Sequence, residues 1–332
     1  FCDELKAIGG QVMRPEAAAD PVSRAEGFRY LTHVLRSALD VFVDHADPDF
    51  PVLYRVCDEI VKYGGDNPDN YYQKCAISGA KRYRIHGHRG TIPSLSFVTQ
   101  GTTFSEGSTM LPTGFLDLHS MELAADGSFE IIASVEQQPG NWLPMQPQTQ
   151  ALLIRQTFHD RANERIADLH IECLDAPPVR PPIDPAVFEQ GLRSAVRFVD
   201  GTVTLFSDWS ERFQEHANRL PADDQELCQN VGGDPNIHYY NSYWNLAPDE
   251  ALVVEVPRVP RCDNWNLQIC NYWMQSIDYR HHGIHVNKHT AAYDEGGSVR
   301  IVIAHEDPGR PNWLSTAGHP CGTMHFRWIG AE

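Results

Sequence analysis

The chain has 332 residues, 42% hydrophobic and 21% charged, a composition normal for soluble globular proteins and long enough for two domains with separate cores. Its formal net charge of −17, from 44 acidic and 27 basic residues, repels phosphate backbones and anionic lipid and argues against nucleic-acid or membrane-surface partners. No apolar run approaches the ~20 residues needed to span a bilayer. The eight cysteines include no Cys-x-x-Cys pair, which argues against a zinc ribbon and a small disulfide scaffold. Reduced, mostly buried thiols in a cytoplasmic protein are the expectation.

Taken in chain order, the amino-terminal part reads as helical. Ser23 and Glu26 form a capping box, and Phe28, Leu31, Val34, Leu35, Ala38, Leu39 and Phe42 follow at helical spacing. Leu53, Val56, Cys57, Ile60 and Val61 predict a second short helix ended by Gly64-Gly65, before a turn at Asp66-Asn67-Pro68-Asp69-Asn70. Short alternating segments then take over, clearest where Phe129, Ile131, Ala133 and Val135 alternate with Glu130, Ile132, Ser134 and Glu136. Ala125-Asp126-Gly127 and Gln138-Pro139-Gly140 are turn signals between strands. The stretch from Ala176 to Pro182 is a stiff Pro-rich linker. Asp184-Pro185 opens a helical region with a break expected at Asp200-Gly201, and Asn230 to Pro235 closes it. The organisation expected is a helical segment over 1–65, a β unit over 66–176, a linker and helical connector over 177–232 and a second β unit over 233–332. No glycine-rich phosphate loop is present, which counts against a dinucleotide or P-loop fold.

The two β regions repeat one another. Tyr71-Tyr72, Glu136, Asn141-Trp142-Leu143 and Arg155 recur as Tyr239-Tyr240, Glu306, Asn312-Trp313-Leu314 and Arg327, with an offset that drifts by only a few residues. The fold class predicted is mainly β with helical segments, built as two related jelly-roll or β-sandwich units from an internal duplication. Features shared by both copies are then architecture, and features of one copy are candidates for function.

Asp66-Asn67-Pro68-Asp69-Asn70-Tyr71, Asn141-Trp142-Leu143 and above all Asp307-Pro308-Gly309-Arg310-Pro311-Asn312-Trp313-Leu314 resemble the bacterial family known as domain of unknown function 1214. Gly318-His319, Gly322 and Phe326-Arg327-Trp328 extend the likeness over the carboxy-terminal part. The resemblance implies a jelly-roll-like β fold there and brings no catalytic residues with it.

Candidate chemistry follows from what the copies share and where they differ. The shared Asn-Trp-Leu turns read as core plugs, and the shared Arg155/Glu136 and Arg327/Glu306 read as cross-strand pairs that fix register. A paired-carboxylate glycosidase is the alternative use of the two glutamates. Five of the seven Trp and eight of the 16 His lie in the second copy, a composition suited to a small-molecule pocket. Tyr240, Trp244, Trp273 and His282 are its candidate lining, with Arg280 or Arg327 as the anion clamp. His305 replaces the apolar Val135 of the first copy and precedes Glu306 and Asp307, so it is the candidate proton carrier with either carboxylate as partner. On a helix His281, His285 and His289 would share a face, and on a strand His285 and His289 would; His281 and His285 are weak metal candidates, whereas Cys321 reads as a free structural thiol. The functional expectation is a cofactor-independent hydrolase or lyase, glycoside-acting in one version, using acid–base chemistry on a small organic or carbohydrate substrate. A non-catalytic carbohydrate- or ligand-binding protein and a His-ligated metal enzyme are the alternatives. A homo-oligomer is left open.

Overall fold

Backbone pairing sorts the chain into two sandwiches of the same plan. In the computed structural model, which describes residues 1–15, 17–101 and 110–332, the first unit holds β1 (Asn70–Ala76), β2 (Tyr83–His88), β3 (Ser94–Gln100), β4 (Pro112–Asp117), β5 (Ser128–Ser134), β6 (Asn141–Pro144), β7 (Ala151–Thr157) and β8 (Asp168–Cys173). One sheet runs β1-β7-β3-β4 and the facing sheet β6-β5-β2-β8. Leu95, Phe97, Leu152 and Ile154 of the first sheet pack on Ile85, Phe129 and Ile131 of the second, a core of alternating inward residues. The second unit holds β9 (Ile237–Asn245), β10 (Ala251–Val256), β11 (Asn264–Ile269), β12 (His285–Asn287), β13 (Val299–Ala304), β14 (Trp313–Ser315) and β15 (Cys321–Ile329). Its sheets run β12-β11-β15-β9 and β10-β13-β14, around Trp244, Trp265, Leu267, Ile301, Ile303, Met324 and Phe326.

The strand orders match except at β8, the edge strand beside β2, which has no counterpart beside β10 among the described residues. β1-β7-β3-β4 corresponds to β9-β15-β11-β12, and the parallel pair β5/β6 corresponds to β13/β14. The Asn-Trp-Leu turns are built alike: Asn141 donates to the carbonyls of Glu122 and Glu130 and accepts from the Glu122 amide, while Asn312 donates to those of Ala292 and Arg300 and accepts from the Ala292 amide. Trp142 Nε1 donates to the Ser134 carbonyl and Trp313 Nε1 to the Ala304 carbonyl, each at 3.1 Å. One detail of the repeat differs from the sequence reading. Arg155 stands opposite Tyr72 and Arg327 opposite Tyr239, so Tyr72 and Tyr239 are the true equivalents and Tyr240 faces the sandwich core instead. A one-residue slip in matching Tyr-Tyr pairs moves every side chain to the other face.

The helices depart from expectation at three places. α2 (Pro21–Leu39) is capped by Asp20, whose carboxylate accepts from the Ser23 amide at 2.9 Å with Pro21 at the first helical position. Glu26 is therefore free of capping and hydrogen-bonds His319 instead. Residues 53–61 are not helical, because Tyr54 pairs in both directions with the Lys74 backbone and Asp58 closes a turn on the amides of Ile60 and Val61. α3 (Pro185–Gln214) runs unbroken through Asp200-Gly201; Val196, Val199, Val203, Phe206, Trp209 and Phe213 keep one continuous buried stripe, and tertiary packing overrides the weak glycine position. Together with the short α1 (Cys2–Ile8) and α4 (Gln225–Asn230), these helices form a separate apolar core against β9. No described helix is long and apolar enough to cross a membrane.

Candidate functional site

β7, β11 and β15 are buried on both faces, unlike the half-exposed strands of an ordinary sandwich surface. Outward residues of β7 and β15 line a cavity of about 160 Å³, bounded also by β1 of the first unit, β9 of the second, and Phe206 and Trp209 of α3. Two loops close over it. Gly64-Gly65-Asp66 leads into β1, and Gly232-Gly233-Asp234 leads into β9, a second repeat hidden in what the sequence presents as helix terminators. Gly64, Gly65 and Gly232 all have positive φ, and a Cβ on Gly65 would stand 3.1 Å from the His325 ring.

The loops are exchanged between the units through the two arginines. Arg327 of β15 donates to the Gly65 carbonyl, and Arg155 of β7 donates to the Gly232 carbonyl. Tyr72 accepts from the Asn67 amide and Tyr239 from the Asp234 amide, so the tyrosines pin the same two loops. Both guanidinium groups act electrostatically on both tyrosine hydroxyls, which places all four at one centre. The expected Arg–Glu pairs do not form. Glu136 and Glu306 are exposed beyond β5 and β13, in the sheets that face away from the arginines.

From here the halves of the cavity differ. Arg327, 6% exposed, also donates to Gln268 Oε1 at 2.6 Å, so it is well satisfied. Arg155, 8% exposed, keeps Nη1 buried without a partner, and Gln100 keeps both its amide atoms so, among the described residues. Opposite Arg327's neighbour His325, Asn241 receives a hydrogen bond network from the imidazole at 2.8 Å and donates to Asp223 at 2.7 Å. Its equivalent in the first unit, opposite Leu153, is Lys74. Lys74 is 4% exposed, and its ammonium has no hydrogen bond and no carboxylate within ion-pair distance among the described residues. Burial pushes it down to about 8. Burial, reinforced by Arg327, holds His325 well below the usual histidine range and therefore neutral. Asp66 is the one carboxylate among the described lining residues, and Ser276 occupies both of its oxygens through its amide at 2.8 Å and hydroxyl at 2.7 Å.

The other candidates lie elsewhere. His305 bonds Thr316 Oγ1 at 2.8 Å and the Leu246 carbonyl at 3.3 Å, while Glu306 and Asp307 are exposed and form no ion pair with it. Asp307 caps its own turn on the Gly309 amide. Neighbouring residues at a strand end face opposite sides, so sequence adjacency does not make a His–carboxylate pair. Arg280 is held by Asp278 in a two-point pair at 2.9 and 2.7 Å and is not a free clamp. Trp244 and Trp273 are fully buried plugs donating to the carbonyls of Cys270 and Ser23, and Tyr240 packs edge-on against Phe326. His282 lines a separate polar cleft of about 130 Å³ beside Glu26 and His319. His281 is exposed, His285 of β12 meets Asp69 at 3.2 Å and His289 stacks on His159 at 3.9 Å, so the three do not converge on one site. No cluster of three potential metal ligands occurs among the described residues. Burial pushes the Cys321 thiol up. Of the predicted site residues, Arg327 alone lines the central cavity.

Fold and cavity define the class: a duplicated β-sandwich protein with a basic chamber where its two copies meet. The family model described as a protein of unknown function, DUF1214, matches residues 70–157 and 245–331, the two β units, and the chain belongs to that family. No curated protein matches the sequence. A crystal structure of an uncharacterised protein from Burkholderia cenocepacia is 50% identical, with TM-score 0.98 over 100% of this chain and 92% of that one. The VPA0106 protein from Vibrio parahaemolyticus shares the fold at 10% identity, with TM-score 0.51 over 99% of this chain and 96% of that one.

Proposed function

We propose that this protein is a cofactor-independent enzyme acting on a small organic anion held in the chamber between the two units. The observation that carries the reading is the unmet hydrogen-bonding capacity of Arg155 Nη1 and Gln100 beside the buried Lys74 ammonium. An uncompensated buried charge costs several kcal/mol, and among the described lining residues no carboxylate is free to offset it. A ligand carboxylate or phosphate would do so, accepting from Arg155 Nη1 with the Gln100 amide beside it. The aromatic wall anticipated for the pocket is supplied by Phe206, Trp209, Tyr72 and Tyr239 rather than by the tryptophans of the second unit. Acid–base work falls to Lys74, whose amine titrates near neutral pH, in place of His305.

Thermal unfolding in a panel of two- to six-carbon mono- and dicarboxylates, phosphate and sulfate tests the reading. An organic anion at about one hundred times its Kd is expected to raise Tm by a few degrees. Arg155→Met is expected to remove that rise while the unliganded protein still unfolds cooperatively. A panel in which no organic anion shifts Tm, or in which Arg155→Met responds like the parent, overturns it.

A further inference from the structure

Lys74 is singular among the lysines of this chain. Lys62 donates to the Ser276 carbonyl at 2.9 Å, Lys288 to the Cys262 carbonyl at 2.6 Å, and Lys81 is paired with Asp49. Lys6 lies on the exposed surface of α1. Lys74 alone is buried, without a hydrogen-bonded or ionic partner among the described residues, and aimed into a cavity. The other copy of the scaffold carries Asn241 at the same register position, so the fold itself does not need an amine there.

We infer that Lys74 is a covalent amine nucleophile that forms an imine with an oxo acid whose carboxylate sits on Arg155. This rests on reading the chamber as an organic-anion site and names the substrate class for it: small 2-oxo or 3-oxo acids. The amine nitrogen attacks the ketone carbon, forming the C–N bond. The carbonyl oxygen then departs as water with the two amine protons, leaving C=N, and no oxidant or reductant is consumed. Tyr72 stands two residues away on the same face of β1, opposite Arg155. Its oxygen accepts from the Asn67 amide and the Asn70 side chain, each at 3.1 Å. Its own proton is therefore free to relay to the departing oxygen while one amine proton returns to the tyrosine oxygen, so the water still carries two protons in all. Burial raises the Tyr72 hydroxyl above its ordinary value, which keeps that proton in place at neutral pH. A desolvated amine of this kind presents on the order of a hundredfold more free base at pH 7 than a solvated lysine. A fully neutralised ion pair, such as that of Lys81, presents less.

The test is reductive trapping on the full chain. With pyruvate as probe and cyanoborohydride as reductant, mass spectrometry is expected to show one adduct per chain, mapped to Lys74. The yield is expected to be more than about tenfold above that at Lys6. Lys74→Arg is expected to abolish it, and lactate, which fills the anion site without a ketone, to suppress it. Absence of the adduct while lactate still raises Tm overturns the imine and leaves the anion chamber standing. Absence of both the adduct and any shift with organic anions overturns both. An adduct spread evenly over Lys6, Lys81 and Lys74, unaffected by lactate, also overturns the imine.

Discussion

The two β units are the same object put to different use. In each, an arginine in the last shared strand reaches across to hold the glycine loop of the other unit, and a tyrosine opposite it pins the loop of its own unit. In the second unit the surrounding positions are filled by Asn241 and His325, bonded to each other, and by Asn266 and Gln268, which accept from Arg327. In the first, register places Lys74 and Leu153 at the positions of Asn241 and His325 and Ser96 and Val98 at those of Asn266 and Gln268, and hydrogen-bonding groups of Arg155 and Gln100 are left over. A duplicated fold shows which side chains the architecture requires, and the residue left unsatisfied in only one copy is where we propose that chemistry is placed. That residue lies in the first copy, not in the histidine- and tryptophan-rich second.

The contrast is most exposed to disproof at the arginines. Arg327→Met removes donors to Gly65, Gln268 and Asn266 at a buried site, and is expected to destabilise the protein by about 3 kcal/mol in urea unfolding. Arg155→Met removes the donor to a single acceptor among the described residues, the Gly232 carbonyl, and is expected to cost about 1 kcal/mol. Equal costs would mean that the two arginines do the same job.

Lys74→Met is expected to stabilise the unliganded protein, by up to about 3 kcal/mol at pH 7, because it deletes a buried charge that the fold does not satisfy. The folded amine titrates near 8, below its value of 10.5 in the unfolded chain. The unfolded chain therefore binds the proton more tightly across that interval. The penalty is full below pH 8 and fades as pH rises to 10.5, so the parent gains stability over this window and Lys74→Met does not. Parallel stability curves for the two proteins between pH 7 and 10.5 would show that Lys74 is already compensated.

The smallest difference between the copies is expected in what they share. Asn141→Ala and Asn312→Ala each delete the same three hydrogen bonds, and each is expected to cost about 2 kcal/mol, within about 0.5 kcal/mol of the other. Differential scanning calorimetry of the pair decides it; a several-fold disparity would separate the turns.

Much of the architecture was legible because duplication leaves long-range marks in the sequence. The Asn-Trp-Leu turns and the matched arginines pointed to a repeated β unit, and Ala133 and Ile131 alternate as read. The chamber was not legible for specific reasons. Lys74 follows Tyr72 and Gln73 in what looks like a solvent-washed strand, and it is buried only because the second unit and α3 cover that face. Gly64-Gly65 and Gly232-Gly233 stood in plain view as a repeat, but each also satisfies the pattern of a helix terminator, which hid the match. His305 drew attention because two acids follow it, although strand geometry sends neighbours to opposite sides and Thr316, distant in sequence, is its partner. Trp244, Trp265 and Trp273 signalled a pocket yet fill cores, the ordinary use of a large apolar ring.

A crystal structure of the full chain soaked with the organic anion that raises Tm most is the most direct measurement. One anion per chain is expected in density between Arg155 Nη1, the Gln100 amide and the Lys74 amine. An anion found only at the outer surface, with water alone on Arg155, would contradict the account.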